Sequence, residues 1–388
     1  MAGERGSNSD DSNSNDSNSD DSNSDDSHLN HGSLNTGDLT IEDLRRARRA
    51  IEHCFESGWT DGLPVVPPIE EFVNEFLMHT RRSPDQVLCT APHLRRDCTV
   101  RDAAACAVMA GCKPEYLTTF IAVVEAFATI GPVMSQSTTG RAFPILINGP
   151  VRQRIGINCT HNILGPGDRA NATIGRALRL VLLNIFNIRP HDLDQSSHGT
   201  PAKIYLCFGE NEEESPWGPM HVDHGFAKEA STVTIQQARS TLHIDHRTSQ
   251  VPEELLHTMA RSMSYAGHLT ASASAGGRVQ QSDGVYHKNL ACIVVLGPEH
   301  ARHIARGGWS KADVVQFLYQ HWGSTAGELR RCGAAPEEIS GLPDGTFIPA
   351  AAMPDSIKVI VAGANNAGES SLLMGYGPCA GPIAIEEQ

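Results

Sequence analysis

Two tetrapeptides carry the side chains best suited to proton or metal chemistry: His221-Val222-Asp223-His224 and His243-Ile244-Asp245-His246. Both read H-x-D-H, and they start 22 residues apart. On a β-strand, side chains two positions apart share a face, so each tetrapeptide would present an imidazole beside a carboxylate. If adjacent strands or their loops bring the two together, His221, Asp223, Asp245 and His246 form a donor set suited to Zn, Fe or Mn. Without a metal, a carboxylate would orient an imidazole acting as a general base. A chain with 18 histidines also produces clusters that do neither, and no HExxH spacing is present.

A second candidate is NCTHNILGPGDRANATIGRALRL, residues 158–180. Gly165 and Gly167 make a turn that feeds a helix beginning near Asn171. The free N–H groups and positive dipole end of such a helix attract anions, and Arg169 adds a full charge. The segment lacks both the Walker and the dinucleotide-binding spacing. An ordinary loop with Asn171 as the helix cap explains the same residues. A third candidate is Cys112 in MAGCKPEY, between a glycine helix stop and Pro114, next to Lys113. A thiol there would gain thiolate character and nucleophilicity, whereas a buried structural cysteine would not. Cys379 in GYGPCAGP is a weaker choice of the same kind. The segment 210–226 joins an acidic turn to Trp217 and the first histidine pair, and suits a pocket wall or a packed loop.

These groups need elements to position them. Thr40, with Glu42 and Asp43 behind it, marks a helix start, and that helix ends at Gly58. Further helices are expected from about Ile69, over 101–110, from Pro114 to about Ala128, and over 171–187. The last has its apolar residues at i, i+3, i+4 and i+7. Strands are expected at 144–149, 203–210, 231–238, 290–296 and 357–362. Between the last two lie helices at 298–306 and 310–321, which is βαβ spacing and implies a parallel pair. The expected fold is α/β, a mixed sheet with flanking helices in two lobes after a disordered N-terminal tail. The corresponding segments are a tail over 1–38, a main domain over 39–285, and a C-terminal βαβ-type lobe over 286–388. Residues 271–284 read as a loop or lobe boundary.

Composition narrows the class. The formal charge is −14 over 388 residues. Residues 1–38 hold nine acids against Arg5 alone, and the remainder carries −6. The repetitive Ser/Asn/Asp stretch 7–28 has no apolar residue to bury, so disorder is expected. So acidic a body argues against a generic nucleic-acid binder. No apolar run reaches the roughly 20 residues of a membrane span. The ten cysteines include no CxxC pair, and their irregular spacing points to the cytosol and to buried thiols.

WTDGLPVVPP, MAGCKPEY, GPGDRANATIGRALRLVL, ENEEESPWGPMHV and GPEHARHIARGGWSKADV together resemble the UGSC-like proteins. That family takes its label from a Sec/Cys-Gly-Ser-Cys motif in an associated redox-type domain. The resemblance spans most of residues 55–322 and implies an association with thiol or selenol chemistry. The chain itself contains no Cys-Gly-Ser-Cys, so the nucleophilic motif of that domain is absent. The expectation is a cytosolic enzyme acting on a small anionic metabolite, assembled as a homo-oligomer. The alternative is a non-catalytic subunit that docks a Cys-Gly-Ser-Cys redox protein.

Overall fold

The computed structural model describes residues 38–136, 138–265, 278–334 and 337–386. The tail expected over 1–38 therefore lies, apart from Asp38, outside the described residues, as does 271–277 of the expected boundary segment. The chain divides into a unit ending at Ala47 and a larger one over Arg48–Gln388. In the first, helix α1 (Ile41–Glu56) starts where expected. The Asp43 N–H donates to Thr40 Oγ1 at 3.2 Å, and Asp43 Oδ2 accepts from the Thr40 N–H at 3.0 Å. This reciprocal pair satisfies two otherwise unpaired helix donors.

The larger unit is built on a six-stranded mixed sheet. Its strands, numbered among themselves, are β1 (Ile145–Asn148), β2 (Cys207–Gly209), β3 (Thr232–Asp245), β4 (Leu290–Leu296), β5 (Ile357–Val361) and β6 (Glu369–Ala384). Their spatial order is β5-β4-β6-β3-β1-β2. β4 and β5 are parallel, as are β1 and β2, and β6 runs antiparallel to both of its neighbours. The βαβ unit expected near the C-terminus is present. Both segments expected to form lobes contribute strands to this one sheet.

Burial on both faces follows from alternation along each strand. Leu146, Phe208, Ile293, Val295, Ile360 and Leu373 meet in one inner cluster. Their neighbours Ile145, Ile147, Cys207, Val233 and Ile235 face an outer helical layer. Cys292, Val294, Val359, Leu372 and Met374 face another. One inner cluster fed by strands from both ends of the sheet order means that the sheet curls on itself. The backbone N–H of Asn211, just past β2, donates to Val361 O of β5 at 2.7 Å, so the two edges meet.

The first outer layer comprises α2 (Glu70–Leu77), α3 (Val100–Ala110), α4 (Leu117–Ile130) and α6 (Arg169–Leu180), with the one-turn α5 (Val151–Ile155) beside it. α3 begins in a Thr99/Asp102 capping box and stops at Gly111, whose φ of 86° suits glycine. The second layer comprises α8 (Pro252–Ser264), α9 (Pro298–Arg306) and α10 (Lys311–His321); α7 (Met220–Asp223) is a single turn before β3. The helix expected over 171–187 begins earlier and changes winding, becoming a π-helix over Val181–Ile185. Bonds to outside residues hold it: Arg96 Nη1 donates to its Ile185 O at 3.0 Å, and its own Asn184 Nδ2 donates to Trp59 O at 2.9 Å. The strand expected over 203–210 shrinks to β2, because residues 201–203 form a tight turn that sends Lys203 to Asp194. Among the described residues, no helix is long and apolar enough to cross a membrane.

Candidate functional site

At one mouth of the curled sheet, above the inner cluster, lies a cavity of about 440 Å³. Three parts of the chain converge on it. Residues 160–165 form one wall, and the turn 362–367 after β5 forms the second. The third is contributed by His243 of β3 with Ser370 and Ser371 of β6. Val295 of β4 also lines it, and so does Gly297, the residue that caps α9.

The strand register explains the central pair. His243 lies opposite Ser371 across the β3–β6 ladder, so both project from the same face. Ser371 Oγ lies 3.4 Å from His243 Nδ1. Ser370 projects from the other face and is tied down there. Its hydroxyl accepts the Gly297 N–H at 3.2 Å and lies 2.8 Å from His300 Nδ1. His300 Nε2 is 3.0 Å from His246 O, a carbonyl that can only accept. The proton therefore sits on Nε2, and Ser370 donates to Nδ1. Burial pushes the His300 pKa down, outweighing the bond to His246, which favours this neutral form.

The walls are braced as well. Asn171 clamps the backbone of Asn158, accepting from its N–H at 2.8 Å and donating to its carbonyl at 3.1 Å. Asn158 Nδ2 in turn donates to Asp168 Oδ2 at 2.7 Å. The Gly363 N–H then donates to Cys159 O at 2.9 Å, joining the first wall to the second.

The four anion-loop residues have different fates. Gly165 lines the cavity, whereas Gly167 is exposed. Asn171 braces the loop from a buried position. Arg169 turns away: its Nε donates to Gly111 O at 3.0 Å and its Nη2 to Cys112 O at 3.4 Å. It closes the free carbonyl end of α3 and supplies no charge to the cavity.

The two H-x-D-H tetrapeptides do not form one site. The first is the helical turn α7, not a strand, so His221 and Asp223 point apart. His221 is fully enclosed, whereas Asp223 is exposed and pairs with Lys311 Nζ at 2.6 Å. The second does end a strand, yet Asp245 pairs with Arg247 at 2.8 Å. His246 lends only its carbonyl to the His300 bond. Among the described residues, no three His, Cys, Asp or Glu side chains are grouped to hold a metal ion. The donor set expected for Zn, Fe or Mn is therefore not assembled. Trp217 packs as loop, its Nε1 donating to Trp309 O at 3.1 Å.

Cys112 is buried beneath the α3–α6 contact. Burial pushes its thiol up to about 12, although Thr173 and Arg169 pull the other way. Burial pushes Cys379 up to about 12 also. Neither has the thiolate character a nucleophile needs. With iodoacetamide at neutral pH, the exposed Cys332 should label first, and Cys112 only after denaturation. Peptide mapping of labelled native protein checks this, and fast labelling of Cys112 would restore the nucleophile reading.

A buried polar network, drawn largely from the acidic turn of 210–226, lies behind the loop wall. Glu210, at the end of β2, is fully buried, with Oε2 bonded to Asn148 Nδ2 and to the Met220 N–H, at 2.5 and 2.9 Å. Arg152 is 3% exposed and reaches Glu212 and Glu213, each at 3.1 Å. His221 Nδ1 stands 4.0 Å from Glu212 Oε1. The cavity residues Ser370 and Ser371 were missed, while Thr160 and His161 lie in the candidate segment 158–180 without having been singled out. One usable signal was GANNAG directly after a buried parallel strand, the end at which α/β sheets place ligands.

No family model matches the chain, and comparison with curated proteins and with solved structures finds no significant match.

Proposed function

We propose that the chain is a cytosolic enzyme acting on a small anionic metabolite held in this cavity, with His243 as general acid–base. The observation that carries the reading is the convergence of two glycine-containing walls on the His243–Ser371 pair in one cavity of about 440 Å³. That volume suits a small metabolite. An imidazole is the side chain that gains and loses a proton most readily near neutral pH. Ser371 steadies the ring by way of Nδ1, leaving Nε2 for the substrate. Three features support an anionic substrate. The capping residue of α9 lines the cavity, so the start of that helix adjoins it. Asn162 and Asn366 offer side-chain amide donors. The one carboxylate in the lining among the described residues, Glu369, is held by Arg247 at 2.7 Å. The resemblance to the UGSC-like proteins supports an enzyme but not the chemistry of its thiols.

Thermal-shift screening of carboxylates and phosphate esters, followed by mass spectrometry for turnover, tests the reading. On the metabolite so found, His243→Gln should lower kcat about 100-fold, the range for loss of a general acid–base group. Wild-type turnover by His243→Gln would sink the assignment.

A further inference from the structure

Three arginines follow one another along α6, and their partners differ. Arg169 is spent on the end of α3. Arg176 is forked on Asp61 at 2.8 and 2.7 Å and also reaches the carbonyls of Leu63 and Pro64. Arg179, at 12% exposure, makes no hydrogen bond among the described residues. Its Nη1 lies 3.6 Å from Asp194 Oδ2. Both Asp194 oxygens already accept from Lys203 Nζ, at 2.9 and 2.7 Å, and Ser196 adds a third bond to the same carboxylate at 2.6 Å. Asp194 thus serves two cations, Lys203 through hydrogen bonds and Arg179 only at longer range. A guanidinium with five N–H donors is left part-buried with none of them in a hydrogen bond among the described residues, so an incoming acceptor would gain bonds that the protein does not supply.

Arg179 faces a cleft of about 620 Å³ whose lining includes His191, Ser196, His198 and Lys203, with Asp194 as its one carboxylate among the described residues. On its other side a narrower cavity is lined by Arg141. Among the described residues, that second guanidinium bonds only uncharged atoms, Gln237 Oε1 at 2.7 Å and Met134 Sδ at 2.9 Å, and its buried Nε has no partner. The local balance is therefore positive. The backbone around it is irregular in the manner of a working site. The π-helical turn Val181–Ile185 begins two residues after Arg179, and His191 holds a φ of 72°.

We propose that this cleft is a second binding site, for a small ligand bearing a phosphate or carboxylate group, with Arg179 as its principal contact. A guanidinium grips either group through two parallel N–H bonds. The cleft shares no lining residue with the cavity around His243, so the proposal does not depend on the enzymatic reading.

The test uses the full chain with inorganic phosphate and malonate as probes. Phenylglyoxal modification of Arg179, mapped by mass spectrometry, should be slowed by at least one of the two. Protection by phosphate alone identifies a phosphate-bearing ligand, and protection by malonate alone a carboxylate. Calorimetric affinity for the protecting anion should fall about 10- to 100-fold in Arg179→Gln, the loss of a charge-assisted bond or two. It should stay at the wild-type value in His243→Gln. Failure of both anions to protect Arg179 in the wild-type protein overturns the proposal. So does an affinity lost in His243→Gln but kept in Arg179→Gln, since that places the anion in the other cavity. The protection measurement uses no variant, so it stands even if Arg179→Gln fails to fold.

Discussion

Replacing Arg152 by methionine is expected to lower folding stability by about 3–5 kcal/mol, the range for removing one partner of a buried ion pair. The guanidinium serves several acceptors at once. Nε donates to Gly149 O at 3.0 Å and Nη1 to Glu210 O at 2.6 Å, while the fork reaches Glu212 and Glu213. Glu213 is 55% exposed and would simply return to water, but Glu212 is 11% exposed and would keep its charge without its counter-ion. Two buried carbonyls would lose a donor as well. Urea unfolding at pH 7 measures the loss. Arg152→Lys should recover only part of it, because an ammonium cannot span two carboxylates and two carbonyls in a plane. A loss under about 1 kcal/mol, the range of exposed pairs, would mean that the network is solvated and not enclosed.

Glu210 should make the protein less stable as the pH rises through neutrality. Burial pushes its carboxyl up to about 7, against the pull of Lys311, the Met220 N–H and Asn148, and with a further push from Glu212. Below the ordinary value of 4.5 both folded and unfolded chains hold the proton, and the group leaves stability unchanged with pH. Between 4.5 and about 7 the folded chain keeps a proton that the unfolded chain releases, so stability falls with rising pH. Above about 7 the full cost is present, about 3 kcal/mol for a shift of this size. Glu210→Gln removes the ionisation. It should therefore be more stable than wild type at pH 8 by about that amount, and close to it at pH 4.5. Urea midpoints across this range decide the matter, and an unchanged wild-type slope in Glu210→Gln would show that another group titrates. Because Glu210 and Arg152 share one network, their effects should not add.

Much of the scaffold was legible because it rests on local physics. Leu290–Leu296 is the strand expected, residue for residue, since seven apolar side chains bounded by turns leave little choice. The Thr40 and Ser310 caps are present because a short polar side chain followed three residues later by an aspartate is a self-contained device. β6 was invisible: its Gly- and Pro-rich stretch reads as turns. It is a strand because β3 and β4 pair with it on both sides, and glycine lets β3 come close. A Cβ at Gly375 would stand 1.6 Å from Gln237 O, a fact of pairing across the chain that no local pattern reports. The same limit governs the site. His243 and Ser371 are 128 residues apart in sequence, and only the β3–β6 register makes them neighbours. The first H-x-D-H misled because its spacing has meaning only on a strand, and Pro219 starts a helical turn there instead.

Strand β6 follows every other strand of the sheet in sequence and yet lies at its centre, between β3 and β4. During synthesis, β1–β3 and the β4–β5 pair must wait as two half-sheets, each with an unpaired inner edge. Such edges invite pairing with other chains. The two halves can be sealed only after residues 369–384 leave the ribosome, and those contacts span large separations in sequence, which slows folding. For this chain the hazardous interval is the one before its last strand is delivered, and a polypeptide cut short before Glu369 should aggregate instead of resting as a smaller folded protein.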